Sequence, residues 1–280
     1  SGETFQRVFL PTSFLRIVPR SPIGHILFVL HTHMPWVLGH GVWPHGEAWL
    51  YEAAAECYLP ILRLLDRLDK ERRKGSITIS ITPVLAEMVA SSRFRDGFLA
   101  YVDDRAQRAE SDRRDFAAEG NGHAASLASA WSDFYRRAKA DFIDVYGQDL
   151  NAAFARLQNR NRIEVIVSAA THGYLPLLGR DESVEAQLAV GIASYHRHFG
   201  RRPRGIWLPE CAYRPGYVWS RPVGPPQAAP RPGLEEFVAR HRLRYFFVDT
   251  HLVAGGAPIR TYEDRFEERR LDATRSPTGL

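Results

Sequence analysis

Arg162–Ser168 reads RIEVIVS and runs into Ala169-Ala170-Thr171-His172-Gly173-Tyr174. A short run of β-branched apolar residues ending in a small-residue turn and a polar pair is the pattern of a buried parallel strand with polar groups at its C-terminal end. Working outward, four more segments read the same way. Gly24–Leu30 (GHILFVL) ends at His31, and Ile77, Ile79 and Ile81 alternate with Thr78, Ser80 and Thr82 before Pro83. Arg204–Leu208 (RGIWL) and Arg244–Val248 (RYFFV) follow. Helical spacing fills the intervals. Leu50, Ala54, Cys57, Tyr58, Ile61, Leu65 and Leu68 recur every three or four residues from Glu47 to Lys70–Lys74 and Gly75, with a kink expected at Pro60. A second helix starts near Val84, two or three fit between Phe94 and Arg160 with a break at Gly120-Asn121-Gly122, and others cover Val184–His198 and Leu234–His241. The proline-rich stretch Arg214–Gly233 reads mostly as loop. Five strands separated by helices predict an α/β protein with a parallel sheet, and periodicity alone leaves a closed barrel and an open sheet equally open.

Composition narrows the class. The chain has 280 residues, 45% hydrophobic and 25% charged, which excludes disordered and collagen-like chains. The net charge of +5 comes with no basic stripe interleaved with aromatics, so no nucleic-acid partner is expected. Cys57 and Cys211 form neither a disulfide framework nor a CxxC motif, which fits a reducing, cytoplasmic location. No apolar run approaches the roughly 18 residues of a membrane helix, and the first 20 residues carry no secretory apolar core, so no membrane partner is expected either.

Polar residues collect at the predicted strand ends, where parallel barrels keep their catalytic groups. His31 and His33 share one side of a strand by period-two spacing, although an isolated HxH also reads as one buried structural histidine and one surface histidine. Zinc is the second reading of this pair, with His172 or Asp249 as a third ligand brought in by the fold. Trp36 and Trp43, on the loop that follows, present flat faces suited to the C–H face of a sugar ring, whereas Trp49 reads as core. His172 stands at a matching strand end. In Trp207-Leu208-Pro209-Glu210-Cys211-Ala212-Tyr213, Glu210 follows a buried strand and a proline and is expected to face the mouth of the fold, where an unpaired charge needs a hydrogen-bonding shell or a catalytic reason. Cys211 is the rival nucleophile, without a cysteine-protease signature around it.

These residues resemble glycoside hydrolase family 57. His31-Thr32-His33-Met34-Pro35 matches its HxHxP motif, Thr171-His172-Gly173-Tyr174 the second, and Trp207–Tyr213 the third, around the nucleophile. The similarity runs from about Gly24 to Gly256, and WPHGEAWLYEAAAECYLP (43–60) and RYFFVDTH (244–251) resemble the branching-type members more than the amylases. The resemblance implies an incomplete, TIM-like (β/α)7 parallel barrel acting on α-1,4-glucan by retaining transglycosylation. Glu210 is then the nucleophile, His31, His33 and His172 line the donor subsite together with Trp36, Trp43, Trp207 and Tyr174, and no metal or other cofactor is required. It divides the chain into an arm (1–23), a partial catalytic barrel (24–256) and an irregular tail (257–280). In the family the acid/base aspartate lies in a fourth motif further downstream, followed by a helical domain. The sequence reaches Leu280 before either, and Asp249, which belongs to a segment preceding that motif, is not given the role. The expectation is a chain truncated before its last strands, complete in its nucleophile half and lacking leaving-group protonation, or else a glucan-binding fragment. Open sheet edges would then promote aggregation.

Overall fold

The computed structural model describes residues 26–72, 77–220, 228–249 and 252. The predicted arm and tail, Gly75 and His251 lie outside them. The described residues include seven strands: β1 (Val29–Thr32), β2 (Ile77–Ile81), β3 (Ile163–Ser168), β4 (Gly205–Trp207), β5 (Tyr217–Ser220), β6 (Ala228–Arg231) and β7 (Tyr245–Phe246). Five of them form one parallel sheet in the order β1-β2-β3-β4-β7. A doubly wound sheet reverses its strand order at a switch point, and this one does not. The winding is that of an incomplete, TIM-like parallel barrel, with every strand delivering its C-terminal end to the same side.

The centre of the sheet is buried on both faces. Val165, Ile166 and Val167 on β3 are all inaccessible, as are Ile79, Ser80 and Ile81 on β2. The Thr/Ser positions of β2 therefore do not face solvent; they line the interior beneath the strand ends. β1 departs from its reading. It starts at Val29, and Ile26, Leu27 and Phe28, expected inside a buried strand, are exposed. The reason is position, because β1 pairs with β2 and has no second neighbour in the sheet of described residues.

The helices are α1 (Glu47–Ala53), α2 (Leu59–Lys70), α3 (Pro83–Ala90), α4 (Ser92–Ala118), α5 (Gly122–Ala140), α6 (Leu150–Asn159), α7 (Asp181–Phe199) and α8 (Leu234–Arg240). Between α1 and α2, residues Ala54–Tyr58 form a wider π turn, and the Leu59 N–H bonds to Ala54 O, five residues back. That turn sits just ahead of Pro60, where the proline ring would otherwise crowd a carbonyl of the preceding turn. Thr82 caps α3 through the Leu85 N–H, so this helix begins one residue before the reading placed it. The Phe94–Arg160 region holds three helices, with α4 and α5 packed as a hairpin about the predicted glycine break. Lys139 pairs with Asp103, and Ser132 donates to Ala106 O. Phe94, Phe98 and Phe142 pack together under it, with ring centroids 4.7–6.0 Å apart. Gly200 ends α7 at φ 68°, a conformation that costs glycine nothing.

The predicted loop Arg214–Gly233 is corrected by an antiparallel ribbon, β5 paired with β6. Its aromatic and β-branched residues Tyr217, Val218 and Trp219 favour strand, and in a two-stranded ribbon both strands are edges, where Pro230 is tolerated. Among the described residues no helix is long and apolar enough to cross a membrane.

Candidate active site

Two strand ends, those of β1 and β3, bring three imidazoles into one cluster of stacked rings. The rings of His33 and His172 lie 3.9 Å apart, those of His31 and His172 5.1 Å, and those of His31 and His33 6.4 Å, all within 25° of parallel. Trp207, at the end of β4, closes the inner side with its indole 4.6 Å from His31, and Phe247 packs against the indole in turn at 5.5 Å. The family-motif histidines that the sequence places 139 residues apart, His33 and His172, are thus in direct contact.

Each histidine rests on a hydroxyl that sequence reading passed over. His31 Nδ1 lies 3.1 Å from Ser80 Oγ, its register partner across β1 and β2. His33 Nδ1 lies 3.5 Å from Thr82 Oγ1, and His172 Nδ1 lies 2.9 Å from Ser168 Oγ. Ser80, Thr82 and Ser168 are all buried, and a buried hydroxyl at the C-terminal end of a central strand is the signal that would have found them.

Burial decides the charge of this stack. It lowers His31 to about 4, helped by repulsion from His172 and His33 and opposed by Glu210. It lowers His172 to about 4 as well, with His33 adding to the effect. His33 is also lowered, again by burial and against the pull of Glu210. At neutral pH the three rings are uncharged hydrogen-bonding groups.

Glu210 follows β4 on a tight 3-10 turn, Pro209–Cys211, closed by Cys211 N–H to Leu208 O at 2.8 Å. Both Glu210 (φ 56°) and Cys211 (φ 52°) are left-handed, as is His172 (φ 56°). This region costs a residue with a Cβ roughly 1–2 kcal/mol, and such costs gather at functional sites. The turn swings the Glu210 carboxylate outward, leaving its side chain 70% exposed, with Oε1 3.5 Å from Nε2 of the 2% exposed His172. Glu210 was expected to point into the mouth and away from open solvent, with a hydrogen-bonding shell or a catalytic reason for its charge; instead its side chain is open to solvent, which supports the charge without a shell. The rival thiol is weakened: burial, Asp249 and Glu210 all push Cys211 up from its ordinary range. Asp249 is exposed just past β7.

Two of the aromatic readings stand at the surface. Trp36 and Trp43 are exposed, with Trp36 Nε1 donating to Leu38 O at 3.0 Å, and Tyr174 is about half exposed. Trp49, read as core, is instead about two-fifths exposed on α1, edge-on to His45 at 6.0 Å, because α1 turns Leu50 and Tyr51 inward in its place. The loop carrying Trp36 and Trp43 is tied down by Glu47. Its carboxylate accepts from the Gly39 N–H (2.7 Å), Arg93 Nε (2.6 Å) and Tyr51 OH (2.9 Å). Burial pushes the Glu47 carboxyl up, and these three donors outweigh it and hold it below the ordinary range. Among the described residues no group of three His, Cys, Asp or Glu side chains is placed to hold a metal ion.

The chain is similar in sequence and fold to known proteins. Residues 27–273 match glycosyl hydrolase family 57. A 1,4-alpha-glucan branching enzyme of Thermococcus kodakarensis is 42% identical over 239 residues, which is 85% of this chain and 34% of that protein. A family 57-type branching enzyme from Pyrococcus horikoshii superposes with a TM-score of 0.75 at 43% identity, over 83% of this chain and 43% of that one. The alpha-amylase AmyC of Thermotoga maritima follows with a TM-score of 0.68 at 30% identity, over 82% and 40%. The chain spans about a third of the length of the curated relative it matches at 42% identity. The family match spans residues 27–273, which include the stacked histidines and Glu210, and the chain belongs to glycosyl hydrolase family 57.

Proposed function

We propose that the chain carries the nucleophile face of a retaining transglycosylase that acts on α-1,4-glucan and builds α-1,6 branches. The observation that carries this reading is Glu210 itself, a carboxylate held in a strained turn at a strand end, 3.5 Å from a buried neutral imidazole. Glu210 attacks the anomeric carbon as the C1–O bond to the leaving glucan breaks, giving a glycosyl ester, and the 6-hydroxyl of an acceptor glucose then displaces the carboxylate. His31, His33 and His172 hold sugar hydroxyls of the donor, with Trp207 and Tyr174 beside them and Trp36 and Trp43 as exposed stacking faces. No metal or other cofactor takes part in this chemistry. Branching is favoured over hydrolysis because the branching-enzyme relatives are closer, at 42% and 43% identity against 30% for the amylase. A retaining reaction also takes an acid/base carboxyl about 5–5.5 Å from the nucleophile. We assign the nucleophile alone, since Asp249 belongs to a segment that precedes the acid's motif in the family. Two free cysteines, Cys57 and Cys211, support a reducing, cytoplasmic setting.

The test separates nucleophile from acid. A fluorinated α-glucosyl fluoride of slow turnover forms C1–O to the carboxylate as fluoride leaves, with no proton donor needed. Mass spectrometry of the digested protein is expected to find the adduct on the peptide containing Glu210 and to find none in Glu210→Gln. A folded wild-type protein that stays unlabelled overturns the assignment. Amylose–iodine assays with debranching of the products then report whether new α-1,6 linkages appear.

A further inference from the structure

We propose that Ser168 is a positioning residue that locks His172 in its Nδ1–H tautomer, so that Nε2 presents a lone pair to the substrate side. Ser168 Oγ has two neighbours within hydrogen-bond distance, the Trp207 carbonyl at 2.8 Å and His172 Nδ1 at 2.9 Å. A hydroxyl carries one proton, and a carbonyl oxygen only accepts. The Ser168 proton therefore goes to Trp207 O, and the contact to His172 is satisfied only when Nδ1–H donates to Oγ. The opposite assignment sets two oxygen lone pairs against each other at 2.8 Å in a buried site. The relay is anchored in the sheet, because Ser168 and Trp207 are register partners across β3 and β4.

The consequence falls on the other ring nitrogen. With Nδ1 protonated and the ring neutral, Nε2 is an acceptor, and it has no hydrogen-bond partner among the described residues. The groups facing the ring are His33 at 3.9 Å and His31 at 5.1 Å between ring centroids, and the Glu210 carboxylate 3.5 Å from Nε2. Nothing in that set donates to Nε2 while Glu210 is a carboxylate. Nε2 is itself buried beside the exposed Glu210 side chain, so a donor reaches it only as that side chain makes room, and a sugar hydroxyl seated there has the right chemistry. His172 is then a hydrogen-bond acceptor from donor-sugar hydroxyl, and it selects for a free hydroxyl at that position over an ether, an ester or a fluorine. This recognition role rests on the glucan-binding reading above; the tautomer does not.

The tautomer is read without substrate. Two-bond 1H–15N correlation spectra of the 15N-labelled protein at neutral pH distinguish the protonated from the unprotonated ring nitrogen of each histidine. The expected pattern for His172 is Nδ1 protonated and Nε2 bare. In Ser168→Ala it shifts toward the Nε2–H form that free imidazole side chains favour, while the His31 and His33 patterns hold. An Nε2–H pattern in the wild type overturns the proposal, whether or not the variant folds. A Ser168→Ala protein that folds and keeps the Nδ1–H pattern overturns the role of Ser168. Loss of glycosyl labelling with the tautomer intact would count against the glucan reading and leave this one standing.

Discussion

His172→Gln should flatten the acid sensitivity of folding. In the unfolded chain His172 binds its proton near the ordinary 6.5, and in the folded chain it does so at about 4. Between those values the unfolded state holds the extra proton, so stability is full above the upper value and is lost as pH falls toward the lower one. Integrating from pH 7 to pH 5, one such histidine removes about 2 kcal/mol, with a limiting slope of about 1.4 kcal/mol per pH unit. Water entering the site as the ring protonates recovers part of this, and a loss of roughly 1 kcal/mol is the working figure. Glutamine has no titration in this range, and its removal of the His172 charge also relieves His31, part of whose lowering comes from His172. The assay is urea unfolding followed by tryptophan fluorescence at half-unit steps from pH 7 to pH 4.5. Absolute stability will differ between the proteins, so the quantity compared is the slope against pH. The wild type should lose stability faster by roughly 1 kcal/mol over pH 7 to 5. Parallel slopes would refute the reasoning, since they would mean that the buried imidazole titrates alike in both states.

Two other perturbations test the scaffold around the site. A Cβ at Gly191 would lie 2.6 Å from Ser168 O and 3.2 Å from Ala170 N, so Gly191→Ala drives α7 away from the end of β3 and should cost about 2 kcal/mol in urea unfolding; an unchanged midpoint would mean that helix and strand are not in close contact there. Glu47→Ala leaves the buried Tyr51 hydroxyl and the Gly39 N–H without their acceptor and should cost about 3 kcal/mol, read as a lower Tm together with faster proteolysis within 33–46; a loss below about 1 kcal/mol would show that the loop holds itself.

What the sequence shows plainly is what is local in it. RIEVIVS reads as a buried strand because seven consecutive residues state it, and His31 and His33 share a side because they are two apart on one strand. The barrel winding was not local, since it depends on the order of strands up to 213 residues apart, and the unreversed order β1-β2-β3-β4-β7, with β1 at one edge, is what distinguishes it from an open doubly wound sheet. The ribbon β5–β6 was hidden by composition: proline and glycine on both sides of Tyr217–Ser220 outweighed three strand-forming residues. β1 was misplaced because an apolar run says how hydrophobic a strand is and not how many neighbours it has.

The site divides along the same line, and the division carries a mechanistic point. Glu210 and the three histidines were legible as types at strand ends, while the hydroxyls beneath them were not, because Ser80 meets His31 and Ser168 meets the Trp207 carbonyl only through sheet register. Without those hydroxyls zinc ligation stays open as the second reading of the histidine pair, and the charge of the rings is left undecided. With them the alternatives separate. Rings stacked 3.9 Å apart cannot all carry charge, and burial settles the matter in favour of neutrality. An imidazolium 3.5 Å from Glu210 would draw electron density from the carboxylate and blunt it as a nucleophile, whereas a neutral ring with its lone pair toward the site leaves the carboxylate free and still grips a hydroxyl. The same burial that makes the fold sensitive to acid is therefore what suits the histidines to sit beside the carboxylate proposed as nucleophile.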